Sequence, residues 1–413
     1  MFKMKLLTLG CLICSSATVV HADVIKDAKA QLDFRNLYMK RDPDTVPGPA
    51  PFEHWSQSAT LSIQSGYQQV GPVALGLDGS VAHAERLMKN DNELVRDGTM
   101  PNHPTTAEQK QRQTQLGMTL KAKVAETEVR YGQLKPLTPV LHIDHSRNLP
   151  TTFNGLWIES KDIEKTKLTA GRITRVQARD KEDYEKLTLD VNKTGAVSDG
   201  MYVLGVDYKL QPNVDVAYYF GGLDDIYNQH YVGLKHQHKF NDKARLVTDL
   251  RIFDTQDAGS SLQGVIDSQA YNLMTMLHYG PHKFGLGYQH MEGDTAFPLL
   301  SGWTPAPYLI QWGSISFYKQ GERSVQLRYD YDFSDIGING LNFMTRYIKA
   351  DNIVHPTIDD VKESEFNIVM NYGIKEGKFK GLGFQYMLIK TDFENSGVKL
   401  DEHRFYTNYT YKF

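Results

Sequence analysis

The stretch Ser324-Val-Gln-Leu-Arg-Tyr-Asp-Tyr-Asp-Phe333 decides the fold. Val325, Leu327, Tyr329, Tyr331 and Phe333 fall on one parity, and Gln326, Arg328, Asp330 and Asp332 on the other. A period of two is that of an extended strand, whose side chains point alternately to opposite faces. The last residues repeat the pattern, with Phe405, Thr407, Tyr409, Tyr411 and Phe413 opposing Arg404, Tyr406, Asn408, Thr410 and Lys412. Ala59, Leu61 and Ile63 alternate with Thr60, Ser62 and Gln64, and Phe366, Ile368, Met370 and Tyr372 with Glu365, Asn367 and Asn371. Each strand has one apolar and one strongly polar face.

A β-sandwich also alternates, but it buries its apolar faces and sends its charges to bulk water. Two features favour a barrel in a membrane. Aromatic residues gather near strand ends, as in Tyr218-Tyr219-Phe220 and Tyr406 to Phe413, where girdles at the lipid interfaces are expected. Connections alternate in length: 239–243 and 375–378 read as tight turns, whereas 87–113, 141–165, 177–199 and 292–307 read as long polar loops. Asn339-Gly340 is a further turn signal. Closure is forced physically, because an edge strand in hydrocarbon leaves N–H and C=O groups unpaired at several kcal/mol each. The expectation is an all-β transmembrane antiparallel barrel of about 18 strands, at roughly 22 residues per strand and connection.

Residues 1–22 read as an export signal, with Lys3 and Lys5, an apolar run from Leu6 to Ile13, and Val20 and Ala22 at the cleavage positions. Residues 23–413 then form a single domain. Both cysteines, Cys11 and Cys14, lie in the leader, which excludes disulfides and thiolate metal sites from the mature chain. Removing Lys3 and Lys5 takes the formal charge from -3 to -5, so there is no basic field for nucleic acid. No Walker, Rossmann or His-Glu-x-x-His signature occurs, and no cofactor is expected. His236 and His238 share a strand face, but with no third ligand nearby an aromatic-girdle role is favoured over metal. The chain is expected in the outer membrane of a Gram-negative bacterium, in contact with its lipid and lipopolysaccharide. Phe413 is expected to be read by the barrel-assembly machinery.

If the apolar parity meets lipid, the opposite parity faces the lumen. This turns Arg35, Lys121, Lys123, Arg130, Arg328, Arg346 and Arg404 inward, since each would cost about 2–4 kcal/mol near mid-bilayer. Rows of cations in a pore select anions. The competing role for each is an ion pair knitting the wall: Asp330 and Asp332 share the face of Arg328, Glu128 that of Arg130, and Asp249 that of Arg251. Arg147, near Asp144 and Pro150, either lines a constriction or braces its loop. Arg172 and Arg175 are on opposite parities, so only one is expected to face inward.

The sequence also resembles the OprD family of substrate-specific outer-membrane porins. The likeness rests on Ala30-Gln-Leu-Asp-Phe-Arg-Asn36, Val129-Arg-Tyr-Gly-Gln-Leu134, Asp144-His-Ser-Arg-Asn-Leu-Pro-Thr-Thr-Phe-Asn-Gly155 and Thr248-Asp-Leu-Arg-Ile-Phe-Asp254. It continues through 285–297, 322–333, Phe343-Met-Thr-Arg-Tyr-Ile348 and Asp401-Glu-His-Arg404. The resemblance implies an 18-stranded barrel, monomeric or loosely trimeric, whose long extracellular loops fold into the lumen as a narrow eyelet. It also implies passive uptake of small carboxylate solutes along a basic ladder that includes Arg130, Arg147, Arg346 and Arg404, opposed by acidic loop groups such as Asp144. In one strand the chain has Gln385 and Met387 where basic-amino-acid channels carry two arginines, which weakens a basic-amino-acid specificity and leaves aromatic or aliphatic acids, such as benzoate-like or short dicarboxylic compounds, equally open as substrates. The alternatives are a non-selective porin and a barrel hydrolase using His142, Asp144, His145 and Ser146.

Overall fold

The computed structural model describes residues 22–43, 51–88, 97–302, 308–309 and 315–413; the leader expected over 1–22 lies outside them except for Ala22. A short helix, Ala22–Lys26, precedes a chain that is almost all strand. The strands are β1 (Lys29–Pro43), β2 (Phe52–Gln64), β3 (Gln68–Val70), β4 (Val73–Arg86), β5 (Arg112–Val124), β6 (Thr127–Leu134) and β7 (Thr152–Ser160). They continue as β8 (Thr166–Gln177), β9 (Met201–Gln211), β10 (Val214–Leu223), β11 (Tyr227–Lys239), β12 (Ala244–Asp257) and β13 (Asp267–Tyr279). The last are β14 (His282–Glu292), β15 (Arg323–Asp332), β16 (Leu341–Ile353), β17 (Val361–Gly373), β18 (Leu382–Phe393) and β19 (Val398–Lys412). Neighbours in the chain pair antiparallel, and β19 returns to pair with β1, from Gln31 opposite Lys412 to Pro43 opposite Leu400. β3 only extends the hairpin of β2 and β4, which pair directly, so the closed wall has eighteen strands.

The two faces are inverted relative to a water-soluble protein. Leu116, Met118, Leu120, Val325 and Leu327 stand exposed, while Gln113, Gln115, Thr119, Ser324 and Gln326 between them are buried. An exterior of this kind is stable only against hydrocarbon. Short connections at one end (125–126, 212–213, 240–243, 280–281) oppose long ones at the other (87–111, 135–151, 178–200, 293–322). Aromatic contacts collect at the short-turn end, with His282 against Phe284, Tyr329 and Tyr331, and Tyr411 edge-on to Phe413 at 4.8 Å.

Three expectations change. The loop expected over 141–165 is interrupted by β7, leaving connections 135–151 and 161–165. The alternation of β7 is hard to see because Phe153 and Trp157, which face inward, are as apolar as Leu156 and Ile158, which face outward. The inward face is also not uniformly polar. Phe153, Trp157, Ile173 and Phe253 pack there against Val140, Leu141, Leu187 and Leu300 of the connections, and Leu37, Met39, Val369, Met387 and Ile389 form a second buried cluster. Each such side chain contributes about 1.5–3 kcal/mol, which fastens connections to the wall. Finally, the register of β7 and β8 shifts between Asn154 and Gly155. Arg172 is opposite the outward Leu156, Ile173 opposite Gly155, and Arg175 opposite Asn154, so the extra residue Thr174 resets parity. Both arginines therefore take outward positions, and Arg172 lies over the exposed Tyr202 ring at 4.0 Å, paired with Asp224 at 2.5 Å.

Leu327→Arg is expected to destabilise the barrel by about 2–4 kcal/mol, because position 327 is mid-strand on the lipid face. Asp215→Asn, on the inward face, should change stability by no more than about 0.5 kcal/mol. Urea unfolding in lipid vesicles measures both.

Candidate functional site

β19, β1 and β2 lie side by side, and their register stacks inward residues in four rows: Asn408, Arg35 and Ser58; Tyr406, Leu37 and Ser56; Arg404, Met39 and His54; Glu402, Arg41 and Phe52. Connection 135–151 lies across these rows. Arg35 Nη1 donates to the carbonyls of His145 (2.7 Å) and Arg147 (2.5 Å). The Tyr406 hydroxyl donates to the Ser146 carbonyl (3.0 Å), and the Ser58 hydroxyl to the Asn148 carbonyl (3.2 Å). Four consecutive carbonyls are thus held by wall side chains, which satisfies a stretch of backbone that belongs to neither helix nor sheet. Asn148 returns a hydrogen bond from Nδ2 to the Ser56 hydroxyl. The connection narrows the lumen at this level.

Five guanidiniums meet here, from Arg35, Arg41, Arg147, Arg179 and Arg404, against the carboxylates of Asp97, Asp144 and Glu402. Glu402 accepts from Arg41 (2.5 Å) and from Arg404, Asp144 accepts from Arg179, and Asp97 pairs with His54 (2.8 Å). Among the described residues, Arg35 and Arg147 have no carboxylate within ion-pair distance; their donors go to backbone carbonyls and to the Asn408 and Ser146 side chains. Burial, with repulsion from Arg179 and Arg404, pushes the Arg147 guanidinium down to about 10, so it remains a cation at neutral pH. Burial alone would raise the Asp144 carboxyl, but Arg179, the Ser146 hydroxyl and amide, and Arg147 outweigh it and hold it below the usual range.

The other expected residues lie elsewhere on the inner wall, and each is paired. Lys121 reaches Asp78 (2.6 Å) and the Ser65 carbonyl (2.8 Å), lying across Gly76, where a Cβ would come within 2.5 Å of its Cε. Lys123 pairs with Glu126 (3.2 Å), and Arg130 with Glu128 (2.7 Å) and Glu159 (2.6 Å). Arg346 is buried, bonded to Asn367 (2.7 Å) and Gln326 (3.2 Å), with Glu365 at 3.8 Å. Arg328 and Arg251 pair with Asp330 (2.7 Å) and Asp249 (2.6 Å). Of the expected cations, Arg35, Arg147 and Arg404 gather with Asp144, whereas Lys121, Lys123, Arg130 and Arg346 are held by partners of their own. Arg41, Arg179, Glu402 and Asp97 were missed. The parity of β1 could have shown Arg41, whereas Arg179 and Asp97 sit in connections without periodicity.

Toward the short-turn end the lumen opens into a cavity of about 620 Å³ lined by Lys167, Lys209, Lys235 and Arg251, by Asp207, Asp215 and Asp249, and by Tyr231 and Tyr308. Lys209 and Lys235 flank Asp215 across three strands, yet neither forms an ion pair among the described residues. The Tyr308 hydroxyl donates to the Leu137 carbonyl (3.2 Å), joining this cavity to connection 135–151.

A serine–histidine–acid contact does occur, although not among His142, Asp144, His145 and Ser146. Ser56 Oγ is 2.7 Å from His54 Nε2, and His54 Nδ1 is 2.8 Å from Asp97 Oδ2. Ser56 and His54 are fully buried, and the Asn148 amide fills the approach to the hydroxyl. A nucleophile needs room for a carbonyl about 3 Å from it and from oxyanion donors, so this relay is a brace between β2 and connection 97–111. His236 and His238 stand 6.4 Å apart, His238 edge-on to Phe240 at 4.7 Å, and no cluster of three metal-ligating side chains occurs among the described residues.

A closed eighteen-strand wall with an apolar exterior, and a lumen narrowed by an inward connection at a level where five guanidiniums meet, defines an outer-membrane β-barrel channel. Residues 22–413 match the family model described as outer membrane porin, OprD family. The chain belongs to the OprD family, and its place is the outer membrane of a Gram-negative bacterium. It is 29% identical over 367 residues to the porin-like protein GalP of Pseudomonas putida, covering 88% of this chain and 86% of that protein. Among solved structures it resembles OccAB4 of Acinetobacter baumannii, with TM-score 0.88, 32% identity and coverage of 94% of this chain and 98% of that one. OpdK of Pseudomonas aeruginosa, crystallised with vanillate, gives TM-score 0.86, 27% identity and coverage of 94% and 99%.

Arg404→Met removes an ion-pair partner from the buried Glu402 and should cost about 3–5 kcal/mol. Arg404→Met with Glu402→Gln should be milder, by urea unfolding. For Asp144, whose folded carboxyl lies below the ordinary 3.8, the stabilising contribution is present above that pH and lost as pH falls through the lower folded value. Asp144→Asn should therefore be less stable than the native chain at pH 6 and converge with it below pH 3.8.

Proposed function

We propose that the channel passes small solutes bearing a carboxylate, attracted to the guanidinium excess where connection 135–151 meets β19, β1 and β2. One observation carries this reading: Arg35 and Arg147 are bonded to neutral carbonyls, so their charges are held in place without being cancelled. Arg35 is partly exposed and is the contact group, while the buried Arg147 acts through its field. A carboxylate about 5 Å from one guanidinium gains roughly 3 kcal/mol at an effective dielectric near 20, less after screening. That is enough to bind and weak enough to release. Lys209 and Lys235 in the cavity beyond offer a second weak station, and several such stations in series are what conduction needs. The aromatic carboxylate vanillate seen with OpdK is consistent with this chemistry.

Arg35→Gln is expected to slow carboxylate uptake by about tenfold, equivalent to roughly 1.4 kcal/mol, with little effect on neutral solutes. Arg35→Lys, which keeps the charge, should retain most of the rate. Proteoliposome swelling with carboxylates and their size-matched amides provides the measurement, and equal rates for acid and amide through the native channel would overturn the reading.

A further inference from the structure

Connection 293–322 rejoins the wall through residues 315–322, and carboxyl groups hold this segment. The Ile315 amide donates to Glu365 Oε2 (2.8 Å), the Lys319 amide to Glu322 Oε2 (2.8 Å), and Lys319 Nζ pairs with Glu363. Glu322 and Glu363 are each 1% exposed, and Oε1 of each is buried without a hydrogen-bond partner. Two ionised carboxylates with one ammonium, held by Glu363, would leave a buried negative charge and two unsatisfied oxygens, a costly arrangement. A single proton relieves both problems, because one carboxyl then donates to the other.

We propose that Glu322 and Glu363 form a proton-binding site that fastens segment 315–322 to the inner wall. A metal cation is the poorer occupant, since the Lys319 ammonium already contacts Glu363 and no third acid or imidazole completes a ligand set among the described residues. Among the described residues, Glu363 has one ion pair, with Lys319, and Glu322 has none. β17 contributes Glu365, engaged by Ile315 with Arg346 at 3.8 Å. Connection 178–200 contributes Asp190, and the segment itself Tyr318, both raised by burial. β14 presents Gln289 and Met291, β16 presents Ile348 and Ala350, and β18 presents Phe393. Burial and the neighbouring Glu363 accordingly push the Glu322 carboxyl up to about 8.

Docking thus binds a proton that release gives up, because a water-exposed Glu322 returns to the ordinary 4.5. The equilibrium for release should be flat below pH 4.5, rise about tenfold per pH unit up to about 8, and be flat above. The site is independent of the carboxylate reading, since none of its residues contacts Arg35 or Arg147.

Hydrogen–deuterium exchange of the full-length protein in lipid nanodiscs, corrected for intrinsic exchange, tests it. Protection of a peptide covering 315–322 should fall about tenfold per pH unit between pH 6 and 7.5 in the native chain. It should stay constant in Glu322→Gln, which carries the neutral form permanently, and a β5 peptide should show no such trend. Glu363→Gln removes the neighbouring charge but leaves Glu322 buried, so it should make the decline over this range shallower than in the native chain, and it decides the matter if Glu322→Gln does not assemble. Constant protection in the native chain, an equal decline in the glutamine variants, or a parallel decline in β5 would each overturn the proposal.

Discussion

The pairing of β1 with β19 is the constraint on which the rest of the structure depends. Lipid offers no partner for a peptide group, so a sheet in the bilayer must meet itself. Closure fixes register around the whole circumference, and register fixes parity, since a slip of one residue would turn an apolar row inward. Enclosing one parity of eighteen strands creates a lumen and obliges it to hold the charged side chains. The bulge at Thr174 shows how local the exceptions are: one extra residue moves Arg175 from the face that simple alternation assigns it.

A lumen crowded with charge raises the question of which charges act on a solute. Most inner cations are answered by carboxylates on the same or a neighbouring strand, as with Lys121 and Asp78, Arg130 and its two glutamates, and Arg328 and Asp330. These pairs brace the wall and largely cancel each other's field. Arg35 differs because its donors are satisfied by the carbonyls of His145 and Arg147 and by the Asn408 side chain. Hydrogen bonding and neutralisation are separate matters, and an inward-folded backbone supplies the first without the second. A connection that presents consecutive carbonyls to the wall therefore leaves a net charge where a salt bridge would have removed it.

The architecture was legible wherever one face met lipid and the other met water, as in β15, β17 and β19, because hydrocarbon imposes an unbroken period of two. It was not legible in β7, where Phe153 and Trp157 pack against the apolar connections and both parities read as hydrophobic. The inward direction of Arg35 and Arg404 follows from parity, but their partners do not: Glu402 is two residues from Arg404, whereas the carbonyls that hold Arg35 lie 110 and 112 positions away. Arg147 stood open between lining and bracing. Its burial beneath connection 97–111, donating to the Asp97 carbonyl, makes it a brace whose charge is nevertheless uncancelled. Those distances are set by how loops fold inside a closed wall, and neither composition nor periodicity records them.

The inner connections are fastened by different chemistry in different sectors. Against β19, β1 and β2 the donors that hold connection 135–151 are a guanidinium, a phenol and a serine hydroxyl, with no carboxyl or imidazole among them. Along β7 to β13 the fastening is apolar burial, which is indifferent to protons. Segment 315–322, on β17, relies instead on a carboxyl pair that can lose a proton in the physiological range. A shift in pH near neutrality therefore acts on segment 315–322, while the bonds from Arg35, Tyr406 and Ser58 to connection 135–151 stay in place. Selectivity and loop mobility are for that reason separable properties of this barrel, because the groups that set them sit on different strands and answer to different variables.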